Sequence, residues 1–453
     1  MDLRSLPAAA VRGPWQIDAD AIGGCAPIVV LLAVGTLRKG AFFQPDVVVL
    51  PCLCLALALL SPAIVAWLRA HPLPALAGVA ATAWWIIDAA IWRHGVESWR
   101  LASTGVCAAA GYGVARSLSP ASRKLTALAV TVIGVALSLA GLFVVATRST
   151  TWTWPDERSL RFQGPLTYPS AIGLYLLITL LASLDVWRRG DEVGPPRAAS
   201  AWFAQVARAL ITLGVVSTDS RGALAGLVVL LCFRVTRREL GAAVVAAVIA
   251  APVLLYAQRD GVRPALVVVA AVVAVVVAAI LGLSGSSRGS RVAGVRMAAV
   301  GWAVAAIALG AAGWLLATQH HDVSGFDASW TERGHILRGA VDVFGAHPLL
   351  GAGPDPSIPT TTLAGLPGID AFAHNEPLEI LLSVGIVGAI VLAAAAVIVA
   401  RSLWPRRADI AMPVLATVAA AGLVDFVWHF PSLGLLAGVV AGVATSRASR
   451  MIT

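Results

Sequence analysis

The sequence is short of charge. Only 13% of its 453 residues are Asp, Glu, Lys or Arg, against about 25% in an ordinary soluble domain, so a soluble globular protein is excluded. Lysine is nearly absent, leaving Lys39 and Lys124 against a background of arginine. No basic stripe sits on a soluble module, which argues against nucleic acid as a partner. Cysteine is scarce. Cys25, Cys52, Cys54, Cys107 and Cys232 lie in or beside apolar runs, without the loop context of disulfides. Cys52-Leu53-Cys54 has no His or Cys partners at metal spacing, so the five read as small core residues. No Walker spacing is present: Ser284-Gly285-Ser286-Ser287-Arg288-Gly289-Ser290 is a Gly/Ser linker with no strand before it. The start, Met1 to Asp20, lacks the charged, apolar and small succession of a cleavable leader. The first apolar run, about Ala21–Leu37, reads instead as a signal anchor.

What is there is mostly apolar: 58% of residues, with mean hydropathy +0.84. The apolar residues fall in blocks of about 18 to 23, the length that crosses a bilayer as helix. The expected fold is an all-α polytopic membrane protein with about 12–14 transmembrane helices and one long outer loop. Candidate spans lie near 21–37, 46–68, 74–92, 101–116, 125–147, 167–187, 201–217, 221–235, 240–257, 264–283, 297–317, 377–400, 410–428 and 431–446. This divides the chain into a cytoplasmic tail (1–20), an N-terminal transmembrane bundle (21–317), an outer loop (318–376), C-terminal transmembrane helices (377–446) and a second tail (447–453). The net charge of +9 concentrates on alternate loops, as the positive-inside rule requires. Arg69, Arg116, Arg188, Arg234, Arg288 and Arg401 mark the inner side when both termini are inside.

Topology does not call for cations on the outer side, yet several stand there: Arg158 and Arg161, Arg221 in Ser217-Thr218-Asp219-Ser220-Arg221-Gly222, and Arg333 with Arg338 in the long loop. Arginine at a membrane boundary is costly and usually faces a polar cavity or a partner. The plain alternatives are an Arg221–Asp219 pair, headgroup contact for Arg161 and a surface pair of Arg333 with Glu332. Three separate guanidinium forks also suit a polyanion, and a diphosphate fits. His374 is the candidate base, one residue outside a membrane helix for which Asn375 reads as N-cap. A neutral imidazole there can take a proton from a hydroxyl, and a capping or headgroup-contact histidine is the plain alternative. His320-His321-Asp322 reads as solvated loop rather than a metal cage. Asp88, Asp185 and Asp425, in or at the ends of apolar runs, read as structural; the alternative is a transporter's proton relay. Gly385 and Gly388 suggest close helix packing.

Four stretches in order resemble one family. Arg161-Phe162-Gln163-Gly164-Pro165-Leu166-Thr167-Tyr168-Pro169-Ser170 is similar to an Arg-x-x-Gly…Pro-Asn segment, with Ser170 where Asn is usual. Ser220-Arg221-Gly222 is similar to a Ser-Arg-Gly turn. Arg333 with His347-Pro348-Leu349-Leu350-Gly351-Ala352-Gly353 resembles an Arg…Pro-Leu-x-Gly-x-Gly loop, with Leu337 where an aromatic is common. His374-Asn375 with Gly385-Ile386-Val387-Gly388 resembles a His-Asn…Gly-Ile-x-Gly ending. The chain thus resembles the O-antigen ligase and polymerase superfamily of bacterial surface-polysaccharide enzymes. The resemblance implies a GT-C-like, metal-independent and cofactor-free glycosyltransferase of the plasma (inner) membrane, with its active site on the outer face. It implies a glycan donor on undecaprenyl diphosphate and a lipid, glycan or protein acceptor. His374, Arg221 and Arg333 would be catalytic, with Arg161, Arg338 and Asn375 contacting substrate, and the anomeric centre would invert. A polymerase with the same donor, a transporter or flippase of lipid-linked glycans, and an envelope scaffold are the alternatives.

Overall fold

The computed structural model describes residues 19–43, 45–61, 65, 69, 72–92, 99–155, 160–188, 198–259, 264–284, 324–353, 356–361, 367–403 and 410–445. Arg158, the run 297–317, His320-His321-Asp322, most of the Gly/Ser linker and residues 1–18 and 446–453 lie outside them. The described residues form fourteen α-helices and two short antiparallel hairpins. The helices are α1 (Ala19–Leu37), α2 (Asp46–Leu59), α3 (Pro72–Trp92), α4 (Arg100–Ser117), α5 (Pro120–Thr147), α6 (Pro169–Arg188), α7 (Ala198–Ser217), α8 (Arg221–Cys232), α9 (Arg234–Arg259), α10 (Pro264–Ser284), α11 (Ser324–Ala346), α12 (Glu376–Leu403), α13 (Ala411–Gly422) and α14 (Pro431–Thr445). Strands β1 (Thr153–Pro155) and β2 (Leu160–Phe162) precede α6; β3 (Ile358–Thr361) and β4 (Pro367–Asp370) follow α11.

The protein is an all-α polytopic membrane protein. Five stretches are long and apolar enough to cross a bilayer: Ala19–Leu37, Pro120–Thr147, Glu239–Gln258, Pro264–Leu281 and Glu376–Ile398. Among the described residues, the spans expected over 221–235 and 410–428 come out shortest. α8 and α13 have 12 residues each, about 18 Å of helix against about 30 Å of hydrocarbon. α8 stops because Phe233 is extended before α9 begins, so the run expected over 221–235 does not cross alone. α8 and α13 pack on each other and on α6.

The core is built around α6. Every residue from Pro169 to Leu184 is buried, as expected for a helix that is apolar all round. The tightest pair is α4 with α14. Gly434, Gly438 and Gly442 are spaced four apart on α14, and a methyl at each would lie 2.2, 2.0 and 2.5 Å from the carbonyl oxygens of Thr104, Ala108 and Tyr112. This is close backbone approach by small residues at helical spacing.

The outer loop expected over 318–376 is not all loop. α11 occupies much of it because Ile336, Ala340 and Phe344 recur every fourth residue, and they pack on Ile358 and Leu382. The Gly-rich segment after α11 is locked into α12. At Gly385 (φ 63, ψ −172) α12 breaks, so Ile386 and Val387 lose their helical acceptors, the carbonyls of Leu382 and Ser383. The segment supplies replacements on both sides. Ile386 and Val387 donate to the carbonyls of Pro348 and Leu349 (2.9 and 3.2 Å), while Ala352 and Gly353 donate to those of Leu382 and Ser383 (2.7 and 3.2 Å). Two missing helical bonds become four inter-segment bonds, which satisfies the interrupted backbone.

Candidate functional site

α12 begins at a heavily capped end. The Asn375 side-chain oxygen accepts from Leu378 N–H (3.0 Å), an orphan donor of the first turn, and Glu379 reaches back to accept from Ala373 N–H in the segment before the cap (2.8 Å). The Asn375 amide also donates to the Leu423 carbonyl (2.9 Å). His374, just outside this cap, has φ +52, a left-handed backbone uncommon without glycine. That turn directs its ring at the linker between α13 and α14, where Nδ1 lies 3.1 Å from Asp425 Oδ1.

Asp425 is 3% exposed and saturated with donors. Its Oδ1 also accepts from Tyr168 O–H (2.5 Å) and Phe426 N–H (3.0 Å), and Oδ2 accepts from Ser170 O–H (2.6 Å). Ser220 O–H donates to Ser170 Oγ (3.0 Å), while Ser220 caps α8 by accepting from Ala223 N–H. Burial alone would raise the Asp425 carboxyl; hydrogen bonds from His374, Ser170 and Tyr168 outweigh it and hold the group below the usual carboxylate range. Burial, then the Asp425 charge, push the Tyr168 phenol well above its ordinary value, with the cations Arg333 and Arg161 pulling the other way.

The arginines converge on the same place. Arg161, paired across the hairpin with Trp154, donates to the carbonyl of Asp219 (2.9 Å), in the turn between α7 and α8. Arg333 on α11 donates to the carbonyl of Val424 (3.3 Å), next to Asp425. Arg221 opens α8 between Ser220 and Gly222, and a methyl at Gly222 would lie 4.0 Å from Asp425 Cβ. The Arg221 side chain is itself exposed, at the rim. Arg338 is also exposed; five residues beyond Arg333, it points roughly 140° away around the helix. Among the described residues no group of three or more His, Cys, Asp or Glu side chains is placed to share a metal ion.

Chemically, the arrangement presents an imidazole whose Nδ1 is held by an ionised carboxylate, which leaves Nε2 to accept a proton. Arg161 and Arg333 lie near enough to act on Tyr168, which shares Asp425 with that imidazole. Four members of the cluster are absent from the sequence reading of the site: Asp425, Tyr168, Ser170 and Ser220. Asp425 reads as structural in an apolar run, and the structure instead places it under His374. A carboxylate in such a run is a functional pointer, but nothing in the sequence pairs it with a histidine 51 residues away.

Residues 206–393 match the family model described as O-antigen ligase. No curated protein matches the chain. The matched stretch contains Arg221, Arg333, Arg338, His374 and Asn375; Arg161, Tyr168, Ser170 and Asp425 lie outside it.

Proposed function

Residues 206–393 match the O-antigen ligase family model, and from that premise we propose that this membrane protein is a member of that superfamily and transfers an oligo- or polysaccharide from undecaprenyl diphosphate to an acceptor hydroxyl at the outer face of the plasma membrane. The observation that carries the reading is the His374–Asp425 contact of 3.1 Å, with Arg333 bonded to the carbonyl of the neighbouring Val424. In the proposed step the acceptor oxygen attacks the anomeric carbon and gives its proton to His374 Nε2. The bond from that carbon to the diphosphate breaks, and the electron pair leaves with the lipid diphosphate. One displacement inverts the centre. Asp425 holds Nδ1–H, fixing the tautomer and stabilising the imidazolium that forms. Arg221 and Arg333 offset charge on the departing diphosphate, with Arg161 completing that wall and Arg338 and Asn375 meeting the glycan at the rim.

The donor is common to ligation and polymerisation; a lipid or protein acceptor makes the protein a ligase, and a second lipid-linked glycan makes it a polymerase. Of the carboxylates a flippase would use, Asp425 is committed to His374 in an interhelical linker, which favours transfer over transport. The test is purified protein in lipid nanodiscs with labelled undecaprenyl-diphosphate glycan and candidate acceptors. Labelled glycan on an acceptor, lost in His374→Ala at equal protein level, supports the reading. Full transfer by His374→Ala, or donor relocated between leaflets without cleavage, overturns it.

A further inference from the structure

A second pair is built from the same two segments as His374–Asp425. Glu376 is fully buried, its Oε1 accepts from Trp428 N–H (2.5 Å), and His429 Nδ1 stands 3.5 Å from that oxygen. The side chains of His429 and Glu376 are 5% and 0% exposed. Three consecutive residues, His374, Asn375 and Glu376, thus grip the linker at Asp425, Leu423, and Trp428 with His429. The two histidines flank an aromatic stack. Phe372 and Phe426 lie face to face (4.2 Å, 5°), with His374 edge-on to Phe426 (5.1 Å) and His429 edge-on to Phe372 (5.3 Å).

Glu376 is surplus to capping, which Asn375 already performs. A glutamine would accept the Trp428 bond without a charge to bury, and burying an ionised carboxylate is costly unless it is paired. Its Oε2 is buried with no hydrogen-bond partner. The contact with His429 and the Trp428 bond tie the first residue of α12 to the α13–α14 linker, a place where buried polar groups can serve to fix the position of two segments.

We propose that Glu376 and His429 are positioning residues, a buried brace that sets the distance and angle at which Asp425 meets His374. This rests on the proposed role of His374 as proton acceptor. A displacement of about 1 Å at a reacting group can cost about 100-fold in rate, so the brace acts on turnover and not on donor binding. The experiment compares Glu376→Gln, His429→Gln and the double variant in the glycan-transfer assay, normalised to folded protein, with His374→Ala alongside. Each single variant lowers kcat by about 10- to 100-fold with donor KM within about two-fold, and the double variant is no slower than the worse single one, because the residues act as a unit. Wild-type kcat in both single variants, losses that multiply in the double variant, or losses confined to melting temperature or KM overturn the brace while His374→Ala remains inactive. An active His374→Ala instead overturns the underlying reading.

Discussion

Asp425→Asn is the sharpest perturbation of the proposed chemistry, because it removes a charge and almost no volume. Asp425 Oδ1 is 3.1 Å from the imidazole nitrogen. At an effective dielectric constant of about 20, two full unit charges at that separation interact by about 5 kcal/mol, an upper bound on what the carboxylate gives to an imidazolium. The amide oxygen can still accept one bond, so the loss should fall below that bound, at about 3–5 kcal/mol. That corresponds to roughly 10²–10⁴ in kcat. Donor KM should hardly move, since the diphosphate contacts are arginines. The pH behaviour gives a second readout. A carboxyl lowered in the folded state adds stability that is full above its unfolded value, about pH 4, and is lost as pH falls through its folded value. The difference in melting temperature between wild type and Asp425→Asn should therefore shrink on acidification below about pH 4. Asp425→Ala is the poorer probe: it strands the Ser170 and Tyr168 hydroxyls at about 1–3 kcal/mol each and mixes stability with rate. An Asp425→Asn protein that turns over at the wild-type rate would refute the orienting role.

Three further outcomes are expected. Gly385→Ala should lower the melting temperature and expression, since its φ/ψ region costs about 1–3 kcal/mol for a non-glycine residue and the new methyl would lie 2.2 Å from the Leu349 carbonyl oxygen; a Gly351→Ala, Gly385→Ala double variant should lose less than the sum, by thermal unfolding. Arg333→Lys should raise donor KM by about ten-fold, because a point charge replaces a bidentate fork, checked by donor titration. Tyr168→Phe keeps the ring stacked on Phe426 at 4.5 Å and removes one donor to Asp425, for a loss in kcat of about 1 kcal/mol.

The hydrophobic periods that make this a membrane protein are written in the chain, and so is the Ser220 cap, since a Ser-Arg-Gly break between apolar runs has few other meanings. The Gly434, Gly438, Gly442 spacing was equally open to reading and belongs to the tightest helix pair. α11 was obscured by its polarity: Ile336, Ala340 and Phe344 carry the helical period, but the surrounding Arg, His and Asp make the stretch look like loop. The site divides in the same way. His374, Arg161 and Arg333 stand out because cations and an imidazole are out of place at an apolar boundary. Asp425, Tyr168 and Ser170 do not, since a carboxylate ending a greasy run, a tyrosine and a serine near a proline acquire meaning only when the α13–α14 linker folds over the start of α6.

The join at Gly385 bears on biogenesis. A helix with an open rung cannot sit among acyl chains, and the peptide that closes the rung is translated before the helix it completes. Lateral release of that helix from the insertion machinery must therefore wait until the preceding glycine-rich stretch has docked on it. A chain lacking residues 348–353 should leave this helix exposed to membrane quality control.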